Sequence, residues 1–187
     1  MQWQEVFNAF TVVGQSNPTN ATAPVAAPIN PNALTRGELD NIQLITKFTA
    51  MASIVGSLVI IITWSAFKHF RNPTTRLIFF QAIAELMGSI SLFIGRWAAD
   101  SGSAGFCLFQ AVIVHQFVIA SIFWSGIIAF NLLIVVVVGR KERHISHYQK
   151  YYHFIAWGIP CAGWIICLSI GANSEFPVFG DTTLWCW

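Results

Sequence analysis

Charge is scarce in this chain: Asp, Glu, Lys and Arg make up 10 % of its 187 residues. Soluble domains carry about a quarter, so a water-soluble globule is excluded. Four stretches hold almost none. Residues 48–67, 77–95, 106–139 and 154–172 together contain one acid, Glu85, and one histidine, His115. The first ten residues lack a basic segment followed by an apolar core, so no cleavable signal peptide is recognised there. No nucleophile–base set and no metal-ligand cluster appears, which argues against an enzyme, a cofactor or a metal site. A net charge of +2 gives no ground for a nucleic-acid partner.

What is abundant is apolar length. A run of about 20 apolar residues spans the ~30 Å hydrocarbon core of a bilayer. The expected fold class is therefore an all-α membrane protein with four transmembrane helices. Residues 1–43 read as a flexible extracellular tail, since 15–33 are rich in Pro, Ala, Asn and Thr without helical period.

Orientation follows from the cations. Lys68, Arg71 and Arg76 follow the first run, and Arg140, Lys141, Arg143 and Lys150 follow the third. Positive loops stay cytoplasmic. The tail and the residues after 172 then lie outside. Asn20-Ala21-Thr22 is a glycosylation acceptor triplet, which acts only on that side. The inner loop 140–150 either attracts anionic membrane lipid, meets a cytoplasmic partner, or simply sets topology. A four-span chain that starts outside also ends outside, yet this one stops at Trp187 without a hydrophilic finish, and a truncated chain is expected.

Four cysteines permit three full pairings. Cys161 and Cys167 share the fourth run, where a helix separates them by about 9 Å, beyond disulfide reach. Cys107 opens the third run and Cys186 lies in the loop after the fourth. Both face an oxidising compartment, so a Cys107–Cys186 bond is predicted.

Helical phase sorts the polar residues inside the membrane. Gln110, Ser121, Ser125 and Asn131 share one third of the third span, with Phe117 and Trp124, whereas His115 and Gln116 fall off that stripe. Gln81, Glu85, Gly88, Ser89 and Arg96 share a face of the second span. Such stripes mark helices that face protein rather than lipid. Glu85 is the costly one, and intramembrane acids usually serve function. By helix rise, Glu85 and Asn131 both sit about 12–13 Å inside the inner edge. A Glu85–Asn131 hydrogen bond is expected, with a packing-only Glu85 as the alternative. The third span makes ~51 Å of helix, so it tilts or projects. Pro160 is expected to remove one backbone bond and kink the fourth span.

The strings GSLVIIITW, RNPTTRLIFFQAIAEL, FCLFQA, FWSGIIAFNLLIVVV, YYHFIAWGIP and TTLWCW run in order from Gly56 to Trp187. In order and spacing they resemble the first four spans of the cyclic-AMP-receptor-like G-protein-coupled receptors of slime moulds and fungi. The resemblance implies the first part of a seven-helix receptor bundle in the plasma membrane. It also implies an extracellular ligand (a cyclic nucleotide, sugar, lipid or peptide) and a cytoplasmic heterotrimeric G protein. In such receptors the outer end of span three is bonded to the second outer loop, matching Cys107 and Cys186. Near the outer surface Arg96 and Gln110 are the candidate ligand contacts. Arg140, Lys141 and Arg143 would lie at the G-protein face, although no Asp-Arg-Tyr triplet stands there. The competing classes are a four-span scaffold and part of a transporter.

Overall fold

The computed structural model describes residues 35–139, 143–173, 178–180, 182 and 184–187. The described chain is helical almost throughout. Helix α1 covers Arg36–Ala66, α2 Pro73–Ile94, α3 Trp97–Asp100, α4 Ala104–Val138, α5 Arg143–His153 and α6 Ile159–Asn173. A 3-10 turn, Lys68–Phe70, joins α1 to α2, and a π turn, Phe154–Gly158, fuses α5 to α6. Four stretches are long and apolar enough to cross a membrane: Gly37–Ala66, Pro73–Ile94, Ala104–Val137 and His147–Gly171. The protein is a multi-pass membrane protein.

Capping, not hydropathy, sets where these helices end. Thr35 starts α1 through a capping box: Glu38 Oε2 accepts from the Thr35 N–H at 2.8 Å, and Thr35 Oγ1 accepts from the Glu38 N–H at 3.4 Å. The helix thus begins twelve residues before its apolar run, within the segment expected to be tail. Its other end unwinds at Phe67. There Arg71 donates Nη2–H to the Ser65 carbonyl at 2.9 Å and lies over the Trp64 ring, so a cation meets the negative end of the helix. Asn72-Pro73 opens α2, with the proline where its missing N–H costs nothing. Gly95 closes it at φ 55°, a backbone conformation that side chains disfavour. Ser103 caps α4 by accepting from the Phe106 N–H, and Gly139 ends it in the left-handed region. Most of the expected inner loop 140–150 belongs to helix α5, which begins at Arg143.

Pro160 acts one step earlier than the sequence predicts. Its ring would crowd the carbonyl four residues back, at Ala156. The backbone widens into the π turn around Ala156, and the Ile159 N–H returns to the Ile155 carbonyl. The proline is absorbed by a wider turn, a recognised device inside helices.

The long helices pack in chain order: α1 along α2, α2 along α4, and α4 along the π turn and α6. One buried cluster joins Leu77 and Ala84 of α2, Ala120 and Trp124 of α4 and Ala156 of the π turn. A second joins Ala98, Ala111 and Cys186 near the disulfide. Small residues allow the close approach. A Cβ placed on Gly88 would sit 3.3 Å from Val118 Cγ2 and 3.7 Å from the Val118 backbone nitrogen, so α2 and α4 touch there nearly backbone to backbone. A Cβ on Gly126 would meet nothing within 4 Å. Gly88→Leu is therefore expected to destabilise the purified protein by about 1–3 kcal/mol, seen as a lower melting temperature in detergent. Gly126→Leu is expected to leave the melting temperature unchanged.

Candidate functional site

The polar side chains collect at three levels, and the level at the disulfide end is the most constructed. Cys107, in the first turn of α4, is bonded to Cys186 with a Cα–Cα distance of 5.2 Å. Cys186 belongs to a short hairpin. Gly180 and Trp187 exchange both backbone hydrogen bonds, at 2.8 and 2.9 Å, and the Thr182 N–H bonds the Trp185 carbonyl. This segment turns back onto the helices. Val178 lies against Gly171, and Phe179 and Trp187 stand beside the His115 ring, with centroids 6.2 and 6.0 Å away.

Gln110 ties these pieces together. It is only 2 % exposed. Its Nε2 donates to the Ser91 and Gly95 carbonyls at 3.0 and 2.9 Å, and its Oε1 accepts from the Cys186 N–H at 3.0 Å. One amide thus holds the end of α2, the wall of α4 and the hairpin. Gln110 was a candidate ligand contact; with all three of these bonds made to backbone, its place is inside the protein. Arg96, the other candidate, bonds Asp100 Oδ1 at 3.1 Å, and both side chains are largely exposed. An exposed pair of this kind is worth about 0–1 kcal/mol, so the guanidinium exchanges partners cheaply.

His115 and Gln116 lie outside the polar stripe read from the sequence, yet both are engaged. Gln116 Oε1 accepts from Trp164 Nε1 at 3.0 Å, and its Nε2 donates to the Trp157 carbonyl at 3.2 Å. A Cβ on Gly163 would stand 3.0 Å from His115 Nε2. Helix α4 has two polar faces because it has two neighbours, α2 and the α5–α6 rod. The available signal was Gly163-Trp164 in the fourth span: a small residue beside an aromatic donor, set to meet an amide.

At the middle level Glu85 and Asn131 do not bond each other. Asn131 Nδ2 donates to the Ile127 carbonyl at 2.7 Å, and its Oδ1 accepts from Tyr152 Oη at 2.9 Å. The nearest polar contact of Glu85 is Ser53 Oγ of α1, 3.5 Å from Oε1. Glu85 points toward the α1 side of α2 and Asn131 toward α5. The Glu85–Asn131 expectation is replaced by these separate pairings. Beside them Gln81 Nε2 donates to Ser125 Oγ at 2.8 Å.

Toward the basic end an aromatic group surrounds Trp124, which is fully buried. Phe80 stacks on it at 5.5 Å, and His153 and Trp157 meet it edge-on at 5.1 and 6.1 Å. Arg143 begins α5. Arg140 and Lys141, with Asn20, lie outside the described residues.

Four spans, with a disulfide-held segment folded over one end, define a multi-pass membrane protein. The family described as slime mold cyclic AMP receptor matches residues 34–187. The chain belongs to that family. It is 31 % identical over 170 residues to cyclic AMP receptor-like protein A of Dictyostelium discoideum, covering 90 % of this chain and 43 % of that protein. It is 29 % identical over 154 residues to G-protein coupled receptor 1 of Arabidopsis thaliana, covering 82 % and 44 %. It is 26 % identical over 148 residues to G-protein coupled receptor 157 of Rattus norvegicus, covering 78 % and 44 %. The chain spans less than half the length of these curated relatives.

Two substitutions test this geometry. Gln110→Leu orphans the Cys186 N–H and the Gly95 carbonyl, each worth about 1–3 kcal/mol when buried unpaired, and leaves the Ser91 carbonyl only its bond from the Gly95 N–H. It is expected to lower the melting temperature and to raise hydrogen exchange at the Cys186 amide, with the disulfide intact. A double-mutant cycle of Asn131→Leu with Tyr152→Phe should give a coupling of about 0.5–1.5 kcal/mol. The cycle of Asn131→Leu with Glu85→Gln should give none.

Proposed function

We propose that this chain forms the ligand-facing part of a plasma-membrane receptor that passes an extracellular signal to a heterotrimeric G protein. Family membership supports the class. The observation that carries the reading is the hairpin ending in Trp187, fixed to α4 by the Cys107–Cys186 bond and to both α2 and α4 by Gln110. Such a segment lets an event at the surface act on helix ends directly. In this reading the disulfide end faces outside, where disulfides persist. The tail with Asn20 lies there too and is glycosylated. The basic end lies inside, and Arg140, Lys141 and Arg143 face the G protein.

Cyclic nucleotides are the first ligands to test, because two relatives are named as a cyclic AMP receptor or a cyclic AMP receptor-like protein. A phosphodiester would need a cation. Arg96 supplies one at the disulfide end if the ligand displaces Asp100. Sugars, lipids and peptides complete the panel. A four-span scaffold or a transporter part explains neither the family nor the tied hairpin.

The test uses the chain in cell membranes with added heterotrimeric G protein. Removal of N-linked glycans should reduce the apparent mass, and Asn20→Gln should abolish that shift. One ligand class should bind saturably and raise guanine-nucleotide exchange on the G protein. Arg96→Ala should weaken that binding about tenfold, equivalent to ~1.4 kcal/mol. Glycan-free tails, or the absence of exchange with every ligand class, would overturn the reading.

A further inference from the structure

The turn between the first two spans is amphipathic, and the length of α2 fixes its depth in the membrane. Helix α2 has 22 residues. That makes ~33 Å of helix against a hydrocarbon core of ~30 Å. Pro73 therefore lies at the hydrocarbon edge, and the turn just before it lies among the headgroups.

The 3-10 geometry sorts the side chains of this turn, because residues three apart eclipse one another. Phe67 and Phe70 share one side, with ring centroids 6.2 Å apart. Lys68 and Arg71, also three apart, share another. Backbone bonds from Phe70 to Phe67 and from Arg71 to Lys68, at 3.1 and 3.2 Å, hold both pairs in this register. All four residues are exposed. An aromatic side and a cationic side thus stand next to each other at headgroup depth.

The Arg71 guanidinium is already positioned. One N–H bonds the Ser65 carbonyl at 2.9 Å, and the cation lies 5.4 Å from the Trp64 ring centroid. Trp64 in turn stacks on Phe79 of α2 at 4.2 Å. The other guanidinium donors and the Lys68 ammonium have no partner among the described residues. The described acids are Glu38, Asp40, Glu85 and Asp100, and none of them stands at this end. The positive end of the α2 dipole follows at once, at Pro73.

We propose that this turn binds an anionic phospholipid whose headgroup is a phosphomonoester. Lys68 and Arg71 hold the phosphate, and Phe67 and Phe70 lie against the glycerol and the upper acyl chains. A phosphomonoester carries about −1.5 to −2 charges, which matches two adjacent cations better than a singly charged phosphodiester does. The exposed rings select a lipid over a soluble phosphate, since only a lipid brings acyl chain to them. The proposal does not rest on the receptor reading, and it concerns the opposite end of the bundle from the disulfide.

The experiment titrates the whole 187-residue chain in detergent with phosphatidic acid or with phosphatidylcholine of the same chain length. Lipid-bound forms are counted by native mass spectrometry. Phosphatidic acid is expected to bind about thirtyfold more tightly, the joint effect of two cations close to an anionic headgroup. Lys68→Gln and Arg71→Gln should each weaken its binding about fivefold and leave phosphatidylcholine unchanged. Phe67→Ser combined with Phe70→Ser should weaken both lipids. Lys150→Gln removes the same charge from α5, also toward the basic end, and should change nothing. Glycerol 3-phosphate, the headgroup without its chains, should not displace the lipid at equal concentration. Formation of the Cys107–Cys186 bond, read by thiol alkylation and mass, verifies that each variant folds. Equal affinity for the two lipids, a loss in Lys150→Gln as large as that in Lys68→Gln, or displacement by glycerol 3-phosphate would overturn the proposal.

Discussion

Hydrocarbon offers a protein no hydrogen-bond partner, and this single constraint organises the polar residues of the chain. Most of the described polar groups that enter the membrane are met by another from the protein, although the buried indole N–H groups of Trp64 and Trp124 have no hydrogen-bond partner. Gln110 meets two carbonyls and an N–H. Gln116 meets an indole and a carbonyl. Asn131 meets a carbonyl and a phenol. The threonines and serines mostly return their hydroxyls to their own helix, as Thr46 and Ser121 do. Amides are used between helices because they both donate and accept.

That division explains why α4 is the organising helix. It lies between α2 on one side and the α5–α6 rod on the other, it carries the bridging amides Gln110, Gln116 and Asn131, and a further one, Gln81, reaches it from α2. Gln110 faces α2 and the hairpin. Gln116 faces α6 and the π turn, and Asn131 faces α5. They sit six and fifteen residues apart, so the bridges are spread along the helix rather than gathered at one point. Trp124 fills the space between the last two with rings from both neighbours.

Much of this was legible in the sequence because it follows from length and period. Apolar length located the four spans, and topology alone singled out Cys107 and Cys186, which the structure joins. Helical phase found the stripe through Gln110, Ser125 and Asn131. Three things stayed hidden, each for a physical reason. Helix ends are set by local caps, so Thr35 and Glu38 extend α1 well beyond its apolar run. Phase gives the direction of a side chain relative to its own helix and not the identity of the neighbour, so equal depth misled the pairing of Glu85 with Asn131. A single stripe also presumes one neighbour, and α4 has two, which is why His115 and Gln116 fell off the stripe and were given no partner.

The two ends of the assembly are held in different ways, and the difference bears on how motion could pass between them. At the disulfide end a covalent bond and one glutamine couple the hairpin to α2 and α4. The Cys186 backbone cannot move without stretching its bond to Gln110, whose other bonds hold the Ser91 and Gly95 carbonyls. Gly95, at positive φ, is the point where α2 ends and the chain turns. A shift of the hairpin is therefore delivered to the end of α2 rather than dissipated in a loop. Toward the basic end, contacts are chiefly between rings, with Asn131–Tyr152 as one polar link between α4 and α5. The disulfide end is thus tied by a covalent bond and buried amide hydrogen bonds, and the basic end chiefly by ring packing around Trp124.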